Sequence, residues 1–390
     1  MVAVMTSTSL PVFLVGSLEV EMRDSLSMDL ARFGVALAIY YLVASVSSVP
    51  GSRLSERIGG DRSLRSAAVM SSVVLILIAT GVRDWSELVP VMMVAGFAAS
   101  LAQPSANLLL AESFPRTRQG IAFGVKQSAA PLATLLGGVA VPVIALSIGW
   151  RWAFASASVV ACASALPRLP GGPRLTRAAA RNAGEGMSVA PLLVLSVGFF
   201  FGLAAAGSLT GFVVASGVAA ANLSRGDAGV VAAVGGGVGV SVRLVAGWSA
   251  DHHIRRYFLA VAGMLGVGAL GYAGLAAGAQ DASPVLYAVA AVVAFGVGWG
   301  WNGLFNFAVV RSYPMAPAWA TGITQTGGRL GAMVGPLVFA FVAKGESYAW
   351  AWSFAATAAA CSAVAVLVGR RLMARSATGG RPVNEKGSWG

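Results

Sequence analysis

Almost the whole chain is written in uninterrupted apolar runs about as long as a bilayer is thick. Nothing else in it constrains the fold so strongly. The runs cover 1–18, 33–50, 64–82, 88–111, 120–148, 152–166, 189–221, 228–248, 257–277, 284–310, 318–343 and 349–368. A membrane-spanning helix needs about 20 mostly apolar residues, whereas a barrel strand shows alternation over about 10. Backbone polar groups in lipid must be satisfied internally, so continuous runs of this length predict helices. The sequence therefore predicts an all-α membrane protein of twelve transmembrane helices. Its first run is retained rather than cleaved, because Met1 opens straight into apolar sequence with no basic segment before it.

Composition agrees. Hydrophobic residues make up 57% of the chain and charged residues 11%, against about 25% charged in soluble domains. There is too little polar surface to clothe a water-soluble globule of 390 residues. The 49 glycines suit close helix approach in lipid. The net charge of +12 would fit nucleic-acid binding if it formed a stripe with interleaved aromatics. Instead most Lys and Arg fall in loops on one side of the alternating topology. That is the positive-inside bias of a polytopic membrane protein, and it predicts both termini in the cytoplasm and the cell membrane as location. Nucleic acid is excluded as a partner. Two cysteines, both within apolar runs, and two adjacent histidines offer no disulfide framework, no metal site and no cofactor site.

The chain also repeats itself. Trp150-Arg151-Trp152-Ala153-Phe154 returns as Trp350-Ala351-Trp352-Ser353-Phe354. Asn107, followed by Ser113-Phe114-Pro115, returns as Asn306, followed by Ser312-Tyr313-Pro314. Gly124 with Gln127 returns as Gly322 with Gln325, and Cys162 as Cys361. This register predicts two pseudo-symmetric six-helix bundles, 1–167 and 188–369. A basic linker at 168–187 joins them, with Pro170, Gly171, Gly172, Pro173, Arg174, Arg177 and Arg181. A basic, disordered tail is expected at 370–390.

Two charged hairpins occupy matching places in the halves. The first reads Ser52-Arg53-Leu54-Ser55-Glu56-Arg57-Ile58-Gly59-Gly60-Asp61-Arg62. The second runs from Arg243 to Gly247-Trp248-Ser249-Ala250-Asp251-His252-His253-Ile254-Arg255-Arg256. Both resemble the signature G-x-L-x-D-R-x-G-R-K of the major facilitator superfamily. Departures are clear. Glu56 stands for Asp, and Gly60 and Asp61 replace the basic pair. His252 replaces Arg, and Ile254 the second Gly. The Arg-x-x-Gln-Gly element of drug antiporters is missing, and Pro131, Gly137 and Gly138 only partly echo their fifth-span motif. The resemblance implies a secondary transporter working by alternating access, with hairpin carboxylates stabilising one state. A carboxylate at a helix end accepts charge-assisted bonds from Arg side chains or helix amides. Glu56, Arg57, Arg62, Arg243 and Asp251 are the gating candidates, with Arg243 expected to snorkel to the nearby helix end and pair with the hairpin. A solvated turn is the plainer alternative.

Polar side chains inside the spans supply the binding candidates. Gln103 and Asn107 share a helix face at i, i+4, as do Asn302 and Asn306. Amides avoid lipid, so they face a cavity or another helix; the resemblance places the fourth and tenth helices on a central cavity. Gln127 and Gln325 join them through the repeat. Lys126 lies about 10 Å inside its span and Arg329 about 16 Å, at 1.5 Å per residue. A mid-bilayer Arg is costly without water, partner or ligand. No carboxylate lies at that depth, since Glu19 and Glu112 sit at span ends. Either backbone carbonyls, Gln325 and tyrosines satisfy Arg329, or an anionic substrate such as a small carboxylate supplies the missing charge, held by Arg329 and Lys126 and oriented by the amides. A coupling proton or exchanged anion is the expected co-substrate, lipid the surrounding partner, and a monomer the functional unit. The alternatives are a proton-coupled drug or metabolite exporter, with Glu19, Glu21 or Glu112 as proton carrier, and a non-transporting sensor. An enzyme would need a nucleophile–base or metal constellation, which the paired loop histidines do not provide.

Overall fold

A computed structural model describes residues 1–113, 119–166, 189–254, 256–313, 317–345 and 347–379. The predicted linker 168–187 and the chain beyond Gly379 lie outside the described residues. Among the described residues twelve helical runs follow one another. In chain order α1 is Val2–Ser17 continued by Glu19–Ser25, and α2 is Leu30–Val46 continued by Ser48–Ile58. Next come α3 (Gly60–Thr80), α4 (Trp85–Ser113) and α5. Helix α5 runs through Gln119–Gln127, Ala129–Ala140, a π-turn at Val141–Ala145 and Leu146–Ile148. The first half closes with α6 (Trp150–Ser164). The second holds α7 (Ala190–Ala220), α8 (Arg225–His252), α9 (Tyr257–Gln280), α10, α11 (Pro317–Gly345) and α12 (Tyr348–Gly379). Helix α10 comprises Pro284–Val293, a π-turn at Ala294–Gly298 and Asn302–Ser312. Nine helical runs among the described residues are long and apolar enough to cross a bilayer, with Val2–Ser17 and Leu30–Val46 as shorter apolar helices.

Three expectations need correction. The first hairpin is almost wholly helical: α2 runs through Pro50 to Ile58, and the chain reverses at Gly59, whose φ of +92° favours glycine. The second hairpin likewise stays helical to His252. The tail does not begin at Arg370. Helix α12 continues through Arg370, Arg371 and Arg375 to Gly379. Leu, Met, Ala and Arg are good helix formers, and cations near a helix C-terminus complement its dipole.

The reversals at Gly59 and at His253 mark one membrane face, called the hairpin face below; α1 begins and α12 ends there. The other is the far face. Across the seam between halves, α1 packs on α7, α2 on α11, and α5 on α8 and α10. The α5–α8 contact is close because glycines alternate along it. A Cβ at Gly138 would sit 2.4 Å from the Ala233 nitrogen, and one at Gly236 would sit 2.5 Å from the Leu135 nitrogen. Small residues let these backbones touch.

The core is continuous across the halves on the far side and divides toward the hairpin face. Phe13 meets Trp299 (ring centroids 5.8 Å), Phe33 meets Phe212 edge-on at 5.4 Å, and Phe212 stacks on Phe339 at 4.8 Å. Nearer the hairpin face, Val4, Leu64, Leu101 and Leu109 form one cluster in the first half. Leu195, Phe199, Phe258 and Trp301 form another in the second. Apolar packing thus seals the far side, while near the hairpin face the two clusters are separate, with Phe123 of α5 packed against the second.

Candidate functional site

The face of α11 that packs on α2 fixes where Arg329 points. Pro336 and Ala340 of that face meet Gly34 of α2, where a Cβ would lie 2.6 Å from the Ala340 Cβ. Arg329 lies seven residues before Pro336, two turns along the same face. A further seven residues along is Gly322, whose Cβ position has nothing within 4 Å. The seam is closed at Ala340, opens by Gly322, and Arg329 stands between. It is partly exposed, and its guanidinium makes no hydrogen bond or ion pair with a described residue. Lys126, from the other half, is buried at 4% exposure and close enough to Arg329 for the two cations to repel each other.

Four amides form one hydrogen-bonded relay beside this pair. Gln127 Nε2 donates to Asn302 Oδ1 at 2.9 Å. Asn306 Nδ2 donates to the same Oδ1 at 2.8 Å and to the Asn302 carbonyl at 3.0 Å. Gln325 Nε2 donates to Asn306 Oδ1 at 2.8 Å. The relay therefore ties α5 of one half to α10 and α11 of the other. Arg329 sits one turn from Gln325, and Lys126 is adjacent to Gln127. Gln103 of α4 is exposed and makes no bond to a described residue. The Asn107 side chain lies outside the described residues. Trp301 and Phe305 are fully buried against Phe199.

The second hairpin carries a bond between halves. Asp251 Oδ1 accepts from the Gly120 amide at 3.0 Å and Oδ2 from the Ile121 amide at 2.9 Å. These are amides at the start of α5, which have no partner within their own helix. The approach requires glycine: a Cβ at Gly120 would fall 2.4 Å from Asp251 Oδ1, and one at Gly124 would fall 2.7 Å from the Arg243 carbonyl. Sequence reading missed Gly120 and took Gly124 only as part of the repeat, although their i, i+4 spacing is the small-residue pattern of helix contacts. In the first hairpin the Glu56 side chain lies outside the described residues. Arg57 and Arg62 are exposed, and Asp61 pairs loosely with Arg65 at 4.0 Å.

Arg243 does not join this gate. Its side chain turns back along α8, away from Asp251. Nη1 donates to the Gly239 carbonyl at 3.2 Å and Nη2 to the Trp299 carbonyl at 2.7 Å. The guanidinium lies 4.4 Å from the Trp299 ring centroid and is 2% exposed. The physical reason is that long helical side chains point toward the N-terminus of their helix, and α8 ends at the hairpin face. The nearby helix end was therefore not the end Arg243 could reach.

At the far face, Lys344 Nζ donates to Asp29 Oδ2 at 2.8 Å, joining α11 to the start of α2. The Asp29 carboxyl is held below its usual range by Lys344 and by the Arg32 amide it caps. Glu19, wholly buried where α1 breaks, pairs with Arg23, whose Nε donates to Oε1 at 2.7 Å. Arg23 in turn reaches Tyr348 at the start of α12.

Comparison with known proteins gives a consistent result. A family model described as the Major Facilitator Superfamily matches residues 1–319. The crystal structure of a D-xylose–proton symporter is similar at a TM-score of 0.75 and 15% identity, covering 94% of this chain and 95% of that one. A bacterial homologue of the human lysosomal transporter Spinster, inward-facing and unoccupied, gives 0.70 at 12% identity, covering 98% and 97%. At these identities the likeness shows the fold. No curated protein matches the chain.

Proposed function

The chain belongs to the major facilitator superfamily, and from that premise we propose that it carries a small organic anion, such as a carboxylate, by alternating access between its two halves. One observation carries the reading. Arg329 and Lys126 come from opposite halves to within range of mutual repulsion, and Arg329 makes no ion pair with a described carboxylate. An anion between them turns repulsion into attraction and offsets the cost of a guanidinium held at this depth. The planar Arg329 fork suits bidentate carboxylate binding. The Gln127–Asn302–Asn306–Gln325 relay supplies donors and acceptors that orient the rest of the solute, and its bonds between α5 and α10 must rearrange when the halves part. The positive-inside bias makes the hairpin face cytoplasmic. The sealed far side and the separate clusters near the hairpin face support a state closed to the outside. The membrane is the cell membrane and the monomer suffices.

The test begins with purified protein and thermal stabilisation by acetate, lactate, oxalate and succinate, against amines and neutral sugars. Carboxylates should raise the melting temperature and the other classes should not. The strongest hit is then followed as labelled exchange in proteoliposomes. Arg329→Gln should abolish saturable exchange with the fold intact, and Arg329→Lys should restore only part of it. Stabilisation by amines or neutral drugs instead would reject the anion reading and favour an exporter. A proton as co-substrate draws support from Glu19, buried and paired with Arg23, which itself reaches Tyr348 of α12. Glu19→Gln should leave exchange running while uptake no longer responds to a pH gradient.

A further inference from the structure

Arg243 and Tyr272 each carry a buried hydrogen-bond donor that meets no acceptor among the described residues. Arg243 Nε and Tyr272 Oη are both buried and, among the described residues, without a hydrogen-bond partner. Tyr272 is 0% exposed and Arg243 2%. The two groups lie within electrostatic reach of each other, yet no hydrogen bond joins them. The other guanidinium contacts are accounted for by the Gly239 and Trp299 carbonyls and the Trp299 ring. Two neutral carbonyls do not balance a buried positive charge, and no described carboxylate pairs with it. An unpaired buried charge costs several kcal/mol.

The backbone is arranged around this spot. The π-turn Ala294–Gly298 interrupts α10 immediately before Trp299, and such turns recur at functional sites. It delivers the Trp299 carbonyl to Arg243. It also brings Gly298 against Gly268 of α9, with a Gly298 Cβ falling 3.4 Å from the Tyr272 ring. The Arg243 fork lies beside Pro131 of α5, since Gly239 touches both. Pro131 is one turn farther from the hairpin face than Gln127. The spot therefore lies beyond the amide relay, between it and the Phe13–Trp299 contact.

We infer that Arg243, Tyr272 and Trp299 form a second anion site, deeper than the Lys126–Arg329 pair, in which a single acceptor atom takes the Arg243 Nε–H and the Tyr272 hydroxyl proton together. The occupant is a small anion, either a halide or one oxygen of a carboxylate. A water molecule would accept both protons but would leave the guanidinium charge unbalanced, and would bring two hydrogens of its own to carbonyls already engaged. The site stands on different atoms from Arg329 and holds whether or not that residue binds substrate. Placed beyond the relay, it serves as a station on the path between the two membrane faces.

The decisive experiment uses full-length protein in detergent, in HEPES–Tris buffer free of halide and carboxylate, titrated separately with chloride and with acetate. Melting temperature is the readout. Tyr272→Phe is the principal variant, because its hydroxyl has no partner among the described residues and its loss should leave the anion-free melting temperature unchanged or slightly raised. Chloride or acetate should stabilise the wild-type protein. Tyr272→Phe should move that midpoint to about tenfold higher anion concentration, and Arg329→Gln should leave the Tyr272-sensitive component in place. Arg243→Gln, where it folds, should abolish it. A response to chloride not displaced by acetate identifies a resident halide; a response to acetate competing with the transported solute identifies the solute's own carboxylate. Either supports the site. An unchanged midpoint in Tyr272→Phe, the same melting temperature in every anion, or loss of the whole response in Arg329→Gln would overturn it. The last outcome would assign all anion binding to the central pair, whereas an anion response unchanged by Tyr272→Phe, with Arg329-dependent exchange intact, would reject this site alone.

Discussion

Replacing Asp251 by Asn tests the bond that holds α5 to α8 at the hairpin face. The carboxylate accepts two amide protons, from Gly120 at 3.0 Å and Ile121 at 2.9 Å. Hydrogen bonds to a charged group contribute about 1.5–3 kcal/mol each. Asp251 is partly exposed, so the lower end applies. Asn keeps one acceptor oxygen and turns an NH2 group toward the second amide, so one bond of about 1.5 kcal/mol is lost. Removing the negative charge from the helix N-terminus costs about 0.5 kcal/mol more. The contact exists only while α5 and α8 meet at this end, so about 2 kcal/mol is taken from that state alone. At 1.4 kcal/mol per tenfold the equilibrium moves about 30-fold toward conformers parted at the hairpin face. Double electron–electron resonance between labels at Arg62→Cys and Arg256→Cys reads those populations, once the exposed Cys162 and Cys361 are changed to serine. A shift of less than about threefold would mean that the bond is replaced by water at no cost, and the gating role would be refuted.

Other consequences are simpler to state. Gly120→Ala places a Cβ 2.4 Å from Asp251 Oδ1 and should shift the same distance distribution in the same direction, with no charge altered. Gly236→Val meets the Leu135 nitrogen at 2.5 Å; overpacking of this kind costs about 1–3 kcal/mol, visible as a lowered melting temperature in detergent. Lys344→Ala should shift the populations by less than about fivefold, because exposed ion pairs are worth about 0–1 kcal/mol. The Asp29 carboxyl is depressed by Lys344 and the Arg32 amide, so its contribution is present above the ordinary carboxylate range and is lost as pH falls through the depressed value. Far-face closure measured between pH 7 and pH 5 should therefore not change on its account.

Helix number, membrane burial and the pairing of halves were legible because lipid imposes long apolar runs and the repeat preserves register. The site was legible in part. Gln127, Asn302, Asn306 and Gln325 lie in one relay because amides buried in apolar surroundings seek one another, and sequence carries that need. It does not carry which amide meets which: Gln127 bonds to Asn302 across the halves, a pairing the internal repeat does not suggest. Helix ends were misplaced at Ile58, His252 and Gly379 because charge was read as loop. In a helix that leaves the membrane, charge marks the interface, while the backbone continues until a residue such as Gly59 reverses it.

Arg243 shows where depth counting misleads, and it bears on how the molecule works. Distance to the nearest helix end predicts where a cation can go only if its side chain points that way. On a helix that ends at the hairpin face, Arg243 points inward, and its charge joins Lys126 and Arg329 in the interior. The three cations come from α8, α5 and α11, so both halves contribute. Parting the halves at the far face would have to break the Phe13–Trp299 contact and so disturb the ring on which Arg243 rests. A change at the far seal is thereby felt at a buried charge. If that coupling is real, Phe13→Ala should weaken anion stabilisation sensitive to Tyr272→Phe while leaving the Asp251 contact intact. Retention of full anion stabilisation in Phe13→Ala would show that the far seal and the Arg243 charge act independently.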